Sequence, residues 1–198
     1  MKKLFNKITP AVRHLFIVNI GVYILLILFA ILFRTNLNDF IGAYAHSSDN
    51  FNIVAIFTYM FSHTFNISHI FFNMLLFLIF VPNFENRFGY KITIISYVFF
   101  GLMSYLIFTI NANGIDSPLV GASGSVMGFL SVYLIQNIFK LRKIGYNLFV
   151  IIMLMGTLLV LFDTDTDISI KLSECAHIGG FIGGLIFYTY IKIKKPHL

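Results

Sequence analysis

Residues 121–139 read GASGSVMGFLSVYLIQNIF, a turn of small residues that leads into an apolar run with no charged side chain. Ser123 stands at the start of this run, where a helix has backbone N–H groups without an intrahelical acceptor. Another apolar run begins at Ala176, and His177 is its second residue. Because a polar side chain within a membrane span is costly, such residues usually mark function. The two runs predict a membrane protein that holds a serine nucleophile and a histidine base.

The composition excludes a soluble globular protein. Hydrophobic residues make up 58% of the 198 residues, charged residues only 11%, and the mean hydropathy is +0.87. Soluble domains are about 25% charged. The net charge of +6 does not indicate nucleic-acid binding, because the basic residues cluster at the ends of apolar runs. We therefore expect the lipid bilayer as a partner and no nucleic acid.

The apolar runs predict an all-α membrane protein with six spans. These predicted spans are residues 15–33, 69–82, 92–110, 123–139, 148–162 and 176–193, and residues 53–61 are expected to form a short interfacial piece. All but two of the 14 Lys and Arg residues then fall on one side, the exceptions being Arg34 and Lys171. Basic residues mark the cytoplasmic side. We expect a multi-pass protein of a bacterial plasma membrane, with both termini cytoplasmic.

This topology brings four polar residues to one depth near the outer face. The second span begins with His69 and Asn73, the fourth with Ser123 and the sixth with His177. His69 and Asn73 are four residues apart, so they share one helix face. The positive end of the helix dipole at Ser123 favours an oxyanion. We expect one site that faces outward.

Paired glycines predict that the fourth and sixth spans pack closely. Gly124 and Gly128 are four residues apart on one span, and Gly180 and Gly184 are four apart on the other. Small residues at this spacing let two helix backbones approach each other. Such packing would bring Ser123 close to the sixth span.

Taken together, these motifs resemble those of the rhomboid intramembrane serine proteases over roughly residues 10–195. The elements that carry the resemblance are GxSG at Gly121-Ala122-Ser123-Gly124, HxxxN at His69–Asn73, an ExRxxG-like turn at Glu85-Asn86-Arg87-Phe88-Gly89, and Ala176-His177-Ile178-Gly179-Gly180 in the last span. The resemblance implies a single rhomboid-like membrane domain over residues 1–198, arranged as a six-transmembrane-helix bundle.

The resemblance also implies a serine endopeptidase. Ser123 would be the nucleophile and His177 the general base, as a dyad with no third acid, and no cofactor or metal would be needed. The Ser123 backbone N–H and the side chains of His69 and Asn73 would form the oxyanion hole. Supporting positions would be Gly121, Gly124, Met127 and His63. The partners would be membrane-protein substrates that have a transmembrane segment.

Three features depart from the family pattern. Met127 takes the place where an aromatic residue often stacks on the base, and a thioether orients an imidazole less rigidly. His63 and His69 are separated by one residue more than the pattern predicts. The chain has no tryptophan, so the Trp-Arg pair of the first outer loop is missing. None of these departures removes a proposed catalytic group.

Other functions remain as alternatives. A non-proteolytic rhomboid-like factor would bind membrane proteins for quality control, but retention of Ser123 and His177 argues against it. A transporter would need a polar path through the midplane. The acids at Asp163, Asp165 and Asp167 partly fit an EF-hand loop, but Ile168 stands where that loop needs glycine. A zinc protease is not expected, because HExxH is absent and no histidine has an acidic partner in its predicted span.

Overall fold

The computed structural model describes residues 8–34, 41–112, 114–137, 148, 155, 157 and 160–194. The fold is mainly helical. Its α-helices are α1 (Pro10–Phe33), α2 (Ala55–Thr58), α3 (Ile67–Phe88), α4 (Tyr90–Asn111), α5 (Ser123–Asn137) and α6 (Ile168–Lys194), and a 3-10 helix (Tyr59–Phe61) follows α2. The two short helices occupy the segment that was expected to be an interfacial piece.

Four of the described helices, α1, α3, α4 and α6, are long and apolar enough to cross a membrane. The helix α5 is described as far as Asn137, two residues before the predicted end of its span. The predicted span 148–162 lies largely outside the described residues, although Leu148, Met155, Thr157 and residues 160–162 are helical. An all-α integral membrane protein is therefore supported, while the six-span topology stays a prediction.

The helix α5 lies at the centre of the bundle. Every residue from Gly124 to Leu134 is buried, and α3, α4 and α6 all contact this helix. A Cβ atom built on Gly180 of α6 would collide with the backbone carbonyl oxygen of Gly124, and one built on Gly184 would collide with that of Gly128. The close packing predicted from the glycine pairs is present, and it holds the start of α5 against α6.

The second helix extends beyond the predicted end of its span at Pro82. The helix α3 continues to Phe88 and ends at Gly89, whose φ of +84° is one that glycine adopts readily. Proline removes one backbone donor, and packing of the following turn against the bundle maintains the helix. In that last turn, Glu85 is buried and accepts hydrogen bonds from the backbone N–H groups of Ala11 (2.8 Å) and Val12 (2.9 Å). A carboxylate of α3 thus caps the first turn of α1.

The last helix likewise begins before the predicted start of its span at residue 176. The helix α6 begins at Ile168, so His177 lies in its third turn. Asp167 explains the earlier start, because its Oδ1 accepts from the backbone N–H (2.7 Å) and the hydroxyl (2.6 Å) of Ser169, as an N-cap residue does. The non-helical stretch before α6 therefore shrinks from the expected 163–175 to residues 163–167.

Candidate active site

Ser123 is held at the first position of α5 by a tight turn. The backbone N–H of Gly121 donates to the Tyr59 carbonyl (3.0 Å), and α5 starts with a bond from Val126 to Ala122 (3.0 Å). Gly121 has φ +116°, and a Cβ atom there would lie 2.8 Å from Nε2 of His69. Only glycine meets both demands, so Gly121 sets the path of the chain into Ser123 and allows His69 to approach it.

His63 lies buried behind this turn. Its Nε2 accepts a long hydrogen bond from the backbone N–H of Ala122, at 3.5 Å. Burial, together with the smaller effect of the neighbouring His69, lowers the pKa of His63 to about 4. Burial of a neutral imidazole favours its acceptor role toward Ala122. This contact places His63 where it supports the turn rather than where it meets a substrate.

His69 and Asn73 stand on the first turns of α3, which Asn66 caps by accepting from the backbone N–H of Ser68 (3.0 Å). Nδ1 of His69 lies 3.0 Å from the hydroxyl of Thr64, which leaves Nε2 on the side of the Gly121 turn. The Asn73 amide donates one hydrogen bond to the His69 carbonyl at 2.9 Å. Asn73 therefore keeps one amide hydrogen, and His69 keeps Nε2, for which the described residues show no hydrogen-bond partner.

His177 has an acidic partner that the sequence argument missed. Its Nδ1 lies 2.9 Å from Oε2 of Glu174, and the two side chains are 23% and 18% exposed. The expectation that no histidine has an acid in its span is wrong here, because α6 extends back to Ile168 and includes Glu174. Glu174 and His177 are three residues apart, and side chains at this spacing meet on one face of a helix. The sequence therefore indicates this pair once the helix is known to include Glu174.

These side chains meet in one cavity of about 450 Å³. Residues from α3, α5 and α6 line it together with Thr157: Ser68, His69, Phe72, Asn73, Leu76, Ser123, Val126, Met127, Thr157, Glu174 and His177. A second cavity of about 250 Å³ shares Ser123, His69 and His177 with the first. The shared residues lie where the two cavities adjoin.

Within the described residues, the ring of His177 is hydrogen-bonded to Glu174 and not to Ser123. Hydrogen bonds between catalytic groups are often long in an empty site and shorten when substrate binds. The arrangement therefore has a half-buried hydroxyl, an imidazole oriented by a carboxylate, and two further side chains with N–H groups. These groups are suited to acyl transfer.

Met127 and Gly124, the remaining predicted supporting positions, both take part in packing. Met127 is buried, lines the larger cavity and packs in a cluster with Phe80 and Leu130. A Cβ atom on Gly124 would collide with the side chain of Ser104 on α4. Gly124 thus permits close contact with both α4 and α6.

Two carboxylates of the acidic stretch before α6 accept hydrogen bonds from neighbouring residues. The Thr166 hydroxyl (2.5 Å) and the Asp165 amide (3.2 Å) hold the pKa of Asp163 below its usual range, and the hydroxyl and amide of Ser169 do the same for Asp167. These bonds shape the turn that leads into α6.

Comparison with known proteins identifies one family. Residues 50–194 match the family model described as the rhomboid domain. No match was found among curated proteins. The matched range contains every side chain that lines the two cavities.

Proposed function

Since the chain belongs to the rhomboid family, whose members are generally intramembrane serine proteases, we propose that it is an intramembrane serine endopeptidase. Its substrates are membrane-anchored proteins, which it cleaves near the outer end of a transmembrane segment. The observation that supports this proposal is the meeting of Ser123, His177, His69 and Asn73, which come from three helices, in one cavity.

Ser123 and His177 perform the covalent chemistry in this proposal. The Ser123 Oγ attacks the carbonyl carbon of the scissile peptide bond, and its proton passes to Nε2 of His177. His177 then gives that proton to the leaving amine as the C–N bond breaks, which leaves an acyl group on Ser123. A water molecule, deprotonated by His177, releases the acyl group as a carboxylic acid and restores the serine.

The oxyanion of the tetrahedral intermediate is stabilised by three donors. These are the backbone N–H of Ser123, Nε2–H of His69 and the free amide hydrogen of Asn73. The backbone donor belongs to the first turn of α5, where the N–H groups lack intrahelical acceptors and the helix dipole is positive. For His69, Nδ1 lies 3.0 Å from the Thr64 hydroxyl, and in this proposal that hydroxyl donates to Nδ1, so that the ring proton is on Nε2.

Hydrolysis inside a membrane needs water at the site, and the cavity provides the space. Its volume of about 450 Å³ exceeds that of one water, about 30 Å³, many times over. The scissile segment must also leave helical form, because helical hydrogen bonds hide its carbonyl groups. We therefore expect small or helix-breaking residues near the cut.

The proposed function also includes an orientation of the chain in the membrane. The basic residues at the helix ends favour cytoplasmic termini and six spans, so the cavity faces outward. We propose a bacterial plasma membrane as the location. A non-proteolytic rhomboid-like factor is less well supported, because such a factor does not need a serine and a histidine that line one cavity.

The test is covalent labelling of the detergent-solubilised chain with a fluorescent alkyl fluorophosphonate, which reacts with activated serines. We expect one labelled residue, Ser123, identified by mass spectrometry, and loss of labelling in Ser123→Ala. Ser68→Ala is the matched control, because this serine lines the same cavity but donates to Asn66. Labelling of Ser68, or equal labelling after Ser123→Ala, would contradict the proposal.

A further inference from the structure

Glu174 is the acidic side chain that lines the larger cavity, and it contacts the proposed base. Its Oε2 lies 2.9 Å from Nδ1 of His177, one helical turn further along α6. Both side chains are partly buried, at 18% and 23% exposure. The carboxylate, the imidazole and Ser123 all line the same cavity.

A carboxylate at Nδ1 determines which ring nitrogen of His177 is free. Glu174 has only acceptor atoms when ionised, so the ring proton lies on Nδ1 and the lone pair lies on Nε2. Nε2 is then the nitrogen that can take the proton of Ser123. The same carboxylate stabilises the imidazolium that forms after that transfer.

The surroundings of Glu174 differ from those of the other acids near it. Asp163 and Asp167 are exposed and accept hydrogen bonds from residues of their own turn. Glu174 lies on the helix itself, half-buried and next to His177. An acidic side chain inside a membrane span is costly without a partner. The pair with His177 offsets that cost and gives the acid a role at the site.

We propose that Glu174 is a positioning residue for His177, so that the site works as a Ser123–His177–Glu174 triad rather than as a dyad. The inference rests on the proposed function. In each turnover one proton moves from Ser123 Oγ to His177 Nε2 and on to the leaving amine. Glu174 stays ionised throughout and holds the Nδ1 proton without taking it.

The experiment compares wild type with Glu174→Gln and Glu174→Ala as full-length protein in liposomes. The substrate is a fluorescent reporter fused to a transmembrane segment with small residues near the cut. Rates are normalised to folded protein, and kcat and KM are measured separately, with the fluorophosphonate labelling rate as a substrate-independent readout. Glu174→Gln keeps the size of the side chain, so it tests the charge even where the alanine variant fails to fold.

We expect kcat and the labelling rate of both variants to fall roughly 100-fold or more, with KM within about twofold. Asp165→Asn is the matched control, because it removes one negative charge just before the same helix without touching the cavity. That control should keep wild-type kcat.

Two results would overturn the inference, and they are distinguishable. If wild type cleaves and Glu174→Gln keeps kcat within about threefold, Glu174 is only a helix-stabilising partner and the dyad is sufficient. If wild type neither cleaves nor reacts with the fluorophosphonate, the proposed function fails first, and the role of Glu174 fails with it.

Discussion

The hydrogen bonds that Asn73 and His69 make within the protein determine which of their donor groups remain available to a substrate. The Asn73 amide has two hydrogens, and one of them goes to the His69 carbonyl. His69 has two ring nitrogens, and Thr64 contacts one of them. Because these internal bonds hold both side chains in place, each remaining donor is pre-oriented toward the cavity. Pre-oriented donors are what stabilises a developing oxyanion.

Asn73→Ala should reduce kcat by roughly 10²–10³-fold, since removal of one oxyanion donor costs about 2.7–4 kcal/mol of transition-state stabilisation. Asn83→Ala is the matched control. Asn83 makes the same type of bond to the residue four before it on α3, to Ile79 at 3.3 Å, but it is exposed and does not line the larger cavity. Rates of substrate cleavage per folded molecule test the prediction. Equal rates for the two variants would remove Asn73 from the oxyanion hole.

The lowered pKa of His63 predicts that the stability of the protein depends on pH. Its pKa is about 4 in the folded protein, and an unfolded histidine has one of about 6.5. The unfolded state therefore binds more protons between these values, and stability falls as the pH drops through this window. The loss should be about 2 kcal/mol between pH 7.5 and pH 5.

Thermal unfolding in detergent at the two pH values measures this loss. His63→Gln keeps an acceptor for the Ala122 N–H but does not titrate, so its melting temperature should fall less on acidification than that of wild type. His69, whose ring centroid lies 5.3 Å from that of His63, is present in both proteins. A difference between their pH profiles is therefore assigned to His63. Identical pH profiles for the two proteins would show that folding does not lower the pKa of His63.

Sequence motifs named five of the eleven residues that line the larger cavity, and they missed Glu174. Ser123, His69, Asn73 and His177 stand in short patterns whose spacing fixes their helix face. Glu174 was assigned to a loop, because the capping bonds of Asp167 are side-chain geometry that a run of apolar residues does not reveal. Tertiary contacts such as that of Thr157 with the cavity have no local signal at all.

Contact between α5 and α6 determines how closely Ser123 and His177 can approach. The two helices meet through glycines, with the backbone of Gly124 against Gly180 and that of Gly128 against Gly184. In a bilayer, such backbone contact replaces the hydrophobic effect as the source of helix association. The spacing of these glycines was readable in the sequence because it repeats every four residues. The cap that Glu85 gives to α1 could not be read from the sequence, since its partners lie more than seventy residues away.

Gly180→Ala should destabilise the protein by about 1–3 kcal/mol and reduce cleavage, because the new methyl group would collide with backbone that cannot rotate away. Gly21→Ala is the control. Nothing lies within 4 Å of a Cβ atom at Gly21, which is also helical, so its effect should stay within about 1 kcal/mol and tend toward stabilisation. Melting temperatures in detergent compare the two. A Gly180→Ala protein as stable and active as Gly21→Ala would contradict the close contact.

For the protein as a whole, the distribution of charge predicts the orientation in the membrane. Basic residues at the helix ends predict cytoplasmic termini and an outward-facing site. The part of this topology that could be read from sequence is the alternation of apolar runs and basic loops. The helix ends could not be read in the same way, because the effects of Pro82 and of the acidic stretch at 163–167 depend on packing and capping.

Cysteine labelling tests this orientation, because Cys175 is the only cysteine in the chain. In a Cys175→Ala background, Asp49→Cys should react with a membrane-impermeant maleimide in intact bacterial spheroplasts. Asn86→Cys should react only after the membrane is permeabilised. Both positions are exposed, so access through the membrane is the difference between them. The reverse pattern would place the site on the cytoplasmic side.

Cleavage of a fluorescent transmembrane substrate in liposomes is the measurement on which the proposed protease activity depends. Wild type should cut the substrate near the outer end of its transmembrane segment. Ser123→Ala and His177→Ala should each lower kcat by more than about 10³-fold while the melting temperature stays close to that of wild type. Absence of cleavage by wild type across several substrates, or undiminished cleavage without Ser123, would contradict the assignment of this protein as a serine protease.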